Sequence, residues 1–221
     1  MRVDYVLFKT PAAIIRCGQF RIASDFRIAA ISRRVPAMGK QYQELDDRLQ
    51  DFIRRQRMFF VGSAPLEANG HINLSPKGFD TFRILDSRTV AYLDYMGSGV
   101  ESIAHLKQNG RFVILFCSFD KAPLIVRLHG TGEVIERGDS AWEALAAEFQ
   151  VNRLARSIIR VSLDRITDSC GWGVPMFNYV GERNQFAGYE ARKDDDGLRH
   201  NQKRWNLKSI DGLPGLSKPS L

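Results

Sequence analysis

Two short stretches carry residue types suited to gripping an anion. The first is Asn73-Leu74-Ser75-Pro76-Lys77-Gly78. Pro76 has no N–H to continue a strand ladder, so pairing should end there. Ser75 and Lys77 flank it and offer a hydroxyl and a positive charge, while Gly78 lets a ligand approach the backbone. The second is Tyr92-Leu93-Asp94-Tyr95-Met96-Gly97-Ser98-Gly99. Here a strand should run through Gly-Ser-Gly into a helix. Ser98 and Glu101 have the spacing of a capping box. Free N–H groups and the dipole at a helix start attract phosphate. Taken singly, the first stretch also fits an ordinary strand end with a solvated lysine, and the second an ordinary capped helix. Neither a Walker A loop nor the full GxGxxG fingerprint is present.

Further residues are less specific. Arg127 and His129 alternate along an expected strand and share one face; a cofactor-binding Arg127 and a surface pair are both open. Cys170 and Trp172 lie in a Gly-rich segment, where Trp172 could stack on an aromatic cofactor or simply pack. His71, His105, His129 and His200 show no metal-binding spacing. Asp194-Asp195-Asp196-Gly197 lacks the distant Glu of a calcium loop and reads as a solvated charged turn. No GxSxG suggests a hydrolase, and no metal is expected.

The elements that must position these residues follow from periodicity. Tyr42, Leu45, Leu49, Phe52 and Ile53 predict a helix from Gln41. Strands are predicted over 58–64, 71–75, 88–95, 111–119, 124–135 and 157–163, the fifth bent at Gly130 and Gly132. Helices are predicted over 98–109, 140–150 and 182–192, and the tail from Ser209 reads as extended. Six short strands with two helices among them favour a mainly β fold, a small antiparallel barrel with flanking helices.

Of the 221 residues, 44% are hydrophobic and 26% charged, as in an ordinary globular chain. The net charge of +7 is mostly local. Residues 1–37 hold seven basic and two acidic residues, so 38–221 carry only +2. That argues against a nucleic-acid footprint on the body of the chain. No apolar run is long enough for a membrane helix. Three scattered cysteines suit a reducing compartment, so a cytoplasmic location is expected. Residues 1–37 read as an N-terminal extension: a targeting leader for an organelle, a disordered arm, or sequence upstream of a start at Met38. Residues 38–221 read as the folded domain.

The order of the two anion-binding stretches, strand, Ser-x-Lys, strand with Tyr-x-Asp-Tyr, Gly-Ser-Gly, helix, resembles the FMN-binding split barrel of the pyridoxamine 5′-phosphate oxidase-like family. The resemblance runs from about Met58 to Val134. It extends more loosely through Ser169–Pro175 and Ser209–Leu216, which look like features of an uncharacterised branch. It implies a six-stranded antiparallel split β-barrel and FMN as cofactor. It also implies a homodimer with flavin at the interface, acting on a small-molecule substrate. Carried over by position, Ser75, Lys77, Tyr92, Leu93, Ser98 and Gly99 would contact FMN, with Arg127 and Trp172 as further candidates. Two departures stand out. Ser98 and Gly99 occupy the positions of the family's phosphate-binding Arg-Lys, and the carboxy-terminal Arg-x-x-Pro is missing. The resemblance therefore implies an FMN-dependent oxidoreductase of open substrate. A flavin- or haem-binding carrier or sensor without turnover, and a deazaflavin-dependent reductase, are the alternatives.

Overall fold

A computed structural model describes residues 39–221; the expectations for residues 1–37 lie outside them. Thirteen elements follow in order. They are β1 (Gln41–Tyr42), α1 (Asp47–Arg55), β2 (Phe59–Ser63), β3 (Asn73–Lys77), β4 (Phe82–Asp86), β5 (Thr89–Tyr95), α2 (Glu101–Asn109), β6 (Arg111–Cys117), β7 (Ile125–Glu136), α3 (Trp142–Ala146), β8 (Ala155–Ser169), α4 (Gln185–Ala191) and α5 (Asp195–Trp205). The strands form one antiparallel sheet in the order β3-β2-β6-β7-β8-β5-β4, with β1 paired to β8. The mainly β class with flanking helices is as the sequence predicts. Among the described residues there are eight strands rather than six, because the two-residue β1 and the edge strand β4 escape a periodicity search.

Alternation explains the core. Phe59 and Val61 on β2, Ile114 and Phe116 on β6, and Val126 and Leu128 on β7 all point inward. Phe59, Phe82 and Phe116 lie within 4.9–5.5 Å of one another, centroid to centroid. Each such buried side chain is worth about 1.5–3 kcal/mol of transfer free energy. β5 is buried on both faces. Its Val90 and Tyr92 enter the main core, while Ala91 and Leu93 pack with Trp142 of α3. At Gly130 an added Cβ would stand 2.1 Å from the Ser162 carbonyl oxygen, and the β7–β8 register slips there.

Helix boundaries differ from the expectations in instructive ways. Gln41 and Tyr42 join the sheet, and α1 starts only after Asp46, whose carboxylate accepts from the Leu49 N–H at 2.8 Å. The expected Ser98–Glu101 capping box does not form: α2 follows Val100, without a side-chain cap. The acidic run 194–196 is no isolated turn. Asp194 caps α5, Asp195 and Asp196 fill its first turn, and Lys203 and Arg204 its last, as the helix dipole favours. The tail is not a simple extended run. Lys208 pairs with Pro214, and Leu216 is buried in the main core.

Candidate functional site

The site grows from the gap between strands β3 and β5. The two strands are not hydrogen-bonded neighbours, yet side chains join them. Lys77 Nζ donates to Asp94 Oδ1 at 2.6 Å. Arg156 Nε donates to Asp94 Oδ2 at 2.8 Å, and its Nη1 donates to the Gly99 carbonyl at 2.7 Å. Asp94 is fully buried and Arg156 is 4% exposed. Burial pushes the Asp94 carboxyl up. Arg156 and Lys77 outweigh that effect and hold it below its ordinary value. Two cations on one anion leave the cluster with a single positive charge.

A backbone irregularity puts Arg156 there. On the β5–β8 ladder Asp94 pairs with Ser157 and Tyr95 with Ala155, so the register skips Arg156. Such a bulge re-aims one side chain out of alternation. Nearby, Asn73 Nδ2 donates to Ser102 Oγ at 2.9 Å and Ser75 Oγ donates to Asn73 Oδ1 at 3.0 Å. The Ser63 hydroxyl and His105 Nδ1, both buried, lie 2.9 Å apart. Burial pushes the His105 imidazole below its ordinary pKa, against the pull of Asp211 and Glu101.

The turn after β5 completes the arrangement. Ser98 is exposed, and an added Cβ at Gly97 would meet nothing within 4 Å. Gly99 differs. An added Cβ there would stand 2.2 Å from a Glu101 carboxylate oxygen, whose partner oxygen accepts from the Ile210 N–H at 3.3 Å. The open approach is therefore at Gly97 and Ser98, and Glu101 fills the Gly99 side. From behind, Asn206 Nδ2 donates to the Gly97 carbonyl at 2.9 Å.

The eight candidate residues fall into separate groups. Lys77, Ser75, Ser98 and Gly99 lie along the seam. Tyr92 lies beneath it, fully buried, with its ring 5.7 Å from Lys77 Nζ and its hydroxyl without a partner among the described residues. Burial, then Asp94, raises its pKa. Leu93 points to the opposite side of β5, and its N–H is taken by the Thr81 carbonyl, so its side chain faces away from the seam. Arg127 stands on the outer face of the sheet, in the row Pro76, Phe60, Leu115, Arg127, and donates to Ser169 Oγ at 3.0 Å. Trp172 is 69% exposed in the irregular segment after β8. Within one chain neither joins the seam cluster.

Sequence reasoning missed Arg156 and Asn206. An arginine in an otherwise apolar strand, Leu154-Ala155-Arg156-Ser157-Ile158, was a usable signal, since charges are rarely buried unpaired. Asn206 carried none.

The residues present fit the phosphate of a flavin nucleotide. The donor set has a net positive charge, a free hydroxyl at Ser98 and an open backbone at Gly97. Among the described residues there is no cluster of His, Cys, Asp and Glu that could hold a metal, and no helix long and apolar enough to cross a membrane.

The pyridoxamine 5′-phosphate oxidase family model matches residues 45–170. The pyridoxamine 5′-phosphate oxidase family protein ustO of Aspergillus flavus is 40% identical over 194 residues, covering 79% of this chain and 77% of that protein. Among solved structures, HupZ of Group A Streptococcus is 22% identical with a TM-score of 0.44, over 55% of this chain and 90% of that one. An FAD-binding protein of Mycobacterium smegmatis is 18% identical with a TM-score of 0.40, over 57% and 96%. With the family model spanning 45–170 and a relative at 40% identity, this chain belongs to the pyridoxamine 5′-phosphate oxidase family.

Proposed function

We propose that the protein is an FMN-dependent oxidoreductase whose cofactor phosphate sits at the β3–β5 seam. The observation that carries this reading is the Lys77–Asp94–Arg156 cluster, with its one net positive charge, beside the open Gly97–Ser98 turn. When bound, FMN supplies hydride or electron transfer at its ring system. The chain's own residues then bind and orient. Lys77 and Ser98 hold the phosphate, and Arg156 fixes the turn through the Gly99 carbonyl. Asp94 keeps both cations in place. Pyridoxamine phosphate is not the substrate proposed, because the family's Arg-Lys and carboxy-terminal Arg-x-x-Pro are absent from this chain. The substrate is a small molecule that reaches the exposed flavin face.

The same reading makes the active form a homodimer. Arg127 and Trp172 stand outside the seam of their own chain, so a second copy can bring them to the flavin. Leu74 and Ile72, exposed at 71% and 79% on the β3 side, give that copy an apolar surface to cover.

A visible spectrum of the purified full-length protein tests the cofactor. The expected result is a yellow protein that releases FMN on denaturation. A colourless protein that takes up no FMN on titration would refute it. Bleaching of the bound flavin under NADH or NADPH, with reoxidation in air, is expected of an oxidoreductase. Flavin that is bound but never reduced would assign the protein to the carriers instead.

A further inference from the structure

A hollow of about 380 Å³ lies between the end of α1, the segment after β3, and β4. Its volume is within the usual range for small-ligand pockets, roughly 300–1,000 Å³. The floor is the main core itself. Ile53, Phe59 and Phe116 are buried there, and Phe82 packs edge-on against both rings, at 5.2 and 4.9 Å between centroids. Arg54, Arg57 and Arg83 stand in the walls. Another hollow, between the Gly97–Ser98 turn and the helices α4 and α5, makes the contrast: no charged residue lines it.

The three arginines are not equally committed. Arg83 donates to both oxygens of Asp80, at 2.8 and 2.9 Å, and to the Glu148 carbonyl at 2.7 Å. Arg54 donates to Gln50 Oε1 at 2.8 Å and stands 3.6 Å from Asp51 in an exposed pair. Arg57 pairs with no carboxylate among the described residues; its guanidinium carbon lies 5.1 Å from the centre of the Tyr179 ring. Asp80 cancels Arg83 and Asp51 offsets Arg54, so one positive charge is left over beside an aromatic floor. Phe79 makes a further wall. Its φ of 59° is in the left-handed region, where it is the one non-glycine among the described residues. Its ring rests against Phe186 and Tyr95, at 5.6 and 6.3 Å. Packing thus holds a strained backbone in place, and the wall is formed before any ligand arrives.

We infer that this hollow is a binding site for a small aromatic carboxylate, separate from the flavin seam. The ring of such a ligand lies against Phe82 and Phe59, in the edge and offset geometries that aromatic pairs favour. Its carboxylate meets Arg57, with Arg54 beside it. A planar guanidinium fork matches the two oxygens of a carboxylate. The single uncommitted charge suits a monoanion better than the double charge of a phosphate ester. Residues 1–37, with seven basic and two acidic residues, are disfavoured as an occupant by the same charge. No part of the Gly97–Ser98 turn enters the lining, so the site does not depend on where the flavin phosphate lies.

The test is a pair of calorimetric titrations of the full chain, with 2-naphthoate and with its neutral counterpart 2-naphthamide. The expected result is naphthoate bound at least about fivefold more tightly, through a charge-assisted contact. Arg57→Gln should erase that preference. Arg57 is exposed, so the variant is expected to keep the fold. Arg54→Gln, at a second exposed position, should weaken naphthoate by about twofold. Arg160→Gln removes a charge paired with Glu133 on β7 and should leave both affinities as they are. Equal affinity for the two probes, no binding of either, or a preference that survives Arg57→Gln would overturn the inference. So would displacement of naphthoate by saturating FMN, or a preference lost in Lys77→Ala but kept in Arg57→Gln, since the anion would then lie at the seam. None of these outcomes decides the flavin reading, which stands or falls on uptake of FMN itself.

Discussion

The β3–β5 seam and the hollow between the Gly97–Ser98 turn and helices α4 and α5, lined by Phe186, Tyr189 and Trp205, are built from opposite materials. The seam's ionic cluster is charged, largely buried and contributed by Lys77, Asp94 and Arg156, inside the span of the family model. The hollow's far wall is aromatic and uncharged, and it comes from 185–205, beyond that span. The two meet at Gly97 and Ser98. The difference teaches what each region can offer a ligand: the seam offers charge at one point, whereas the hollow offers shape and stacking.

The contrast breaks most severely at Asp94. Asp94→Ala would leave Lys77 and Arg156 repelling one another with no counter-charge, Arg156 in a nearly dry site. A loss of about 3–5 kcal/mol in unfolding free energy is expected, read by urea denaturation. A variant as stable as wild type would show that the cluster holds nothing together.

Glu101 sharpens the comparison in the other direction. Its carboxylate stands beside the turn where an anion is to bind. Glu101→Gln is expected to tighten FMN severalfold, and more so at low salt, by titration. An unchanged or weaker affinity would place the phosphate elsewhere.

Acid should act on the seam in two stages. The neutral, buried His105 has a lowered folded pKa, so the unfolded chain binds the proton first. Stability is therefore expected to fall as pH drops below about 6.5, and His105→Gln should flatten that portion of the profile. Asp94, also lowered, contributes stability that is present above the ordinary carboxylate pKa and is lost as pH falls through its folded value. Its loss should show only in more acidic solution, below about 4. The smallest effect is expected on the outer face. Arg127→Ala should change stability by about 0.5 kcal/mol or less, because its one bond is to a half-buried serine.

Much of this was legible in the sequence, and the exceptions share a cause. Alternation located β2, β5, β6 and β7, because each carries a mainly apolar face; β3 was expected to stop at Pro76, yet it pairs with the antiparallel β2 through Pro76 to Lys77. The edge strand β4 was invisible since Phe82-Arg83-Ile84-Leu85-Asp86 is half-buried on both faces. Lys77 and Ser98 could be named from residue type and order alone. Arg156 left only the signal of a charge in an apolar run; that it meets Asp94 depends on a one-residue slip in β8 that only tertiary pairing reveals. Ser98 looked like a helix cap, yet α2 begins three residues later, after Val100, and leaves its hydroxyl free. The charged run before α5 hid a helix start because acid at a helix N-terminus and acid in a solvated turn look alike in sequence.

The phosphate contact at the seam is tested most directly by comparing FMN with riboflavin, which lacks the phosphate. In wild type, FMN should bind at least about tenfold more tightly, and Lys77→Ala should remove most of that preference by reducing the cluster to a neutral Asp94–Arg156 pair. Equal affinity for riboflavin and FMN in wild type, or an undiminished preference in Lys77→Ala, would contradict the account.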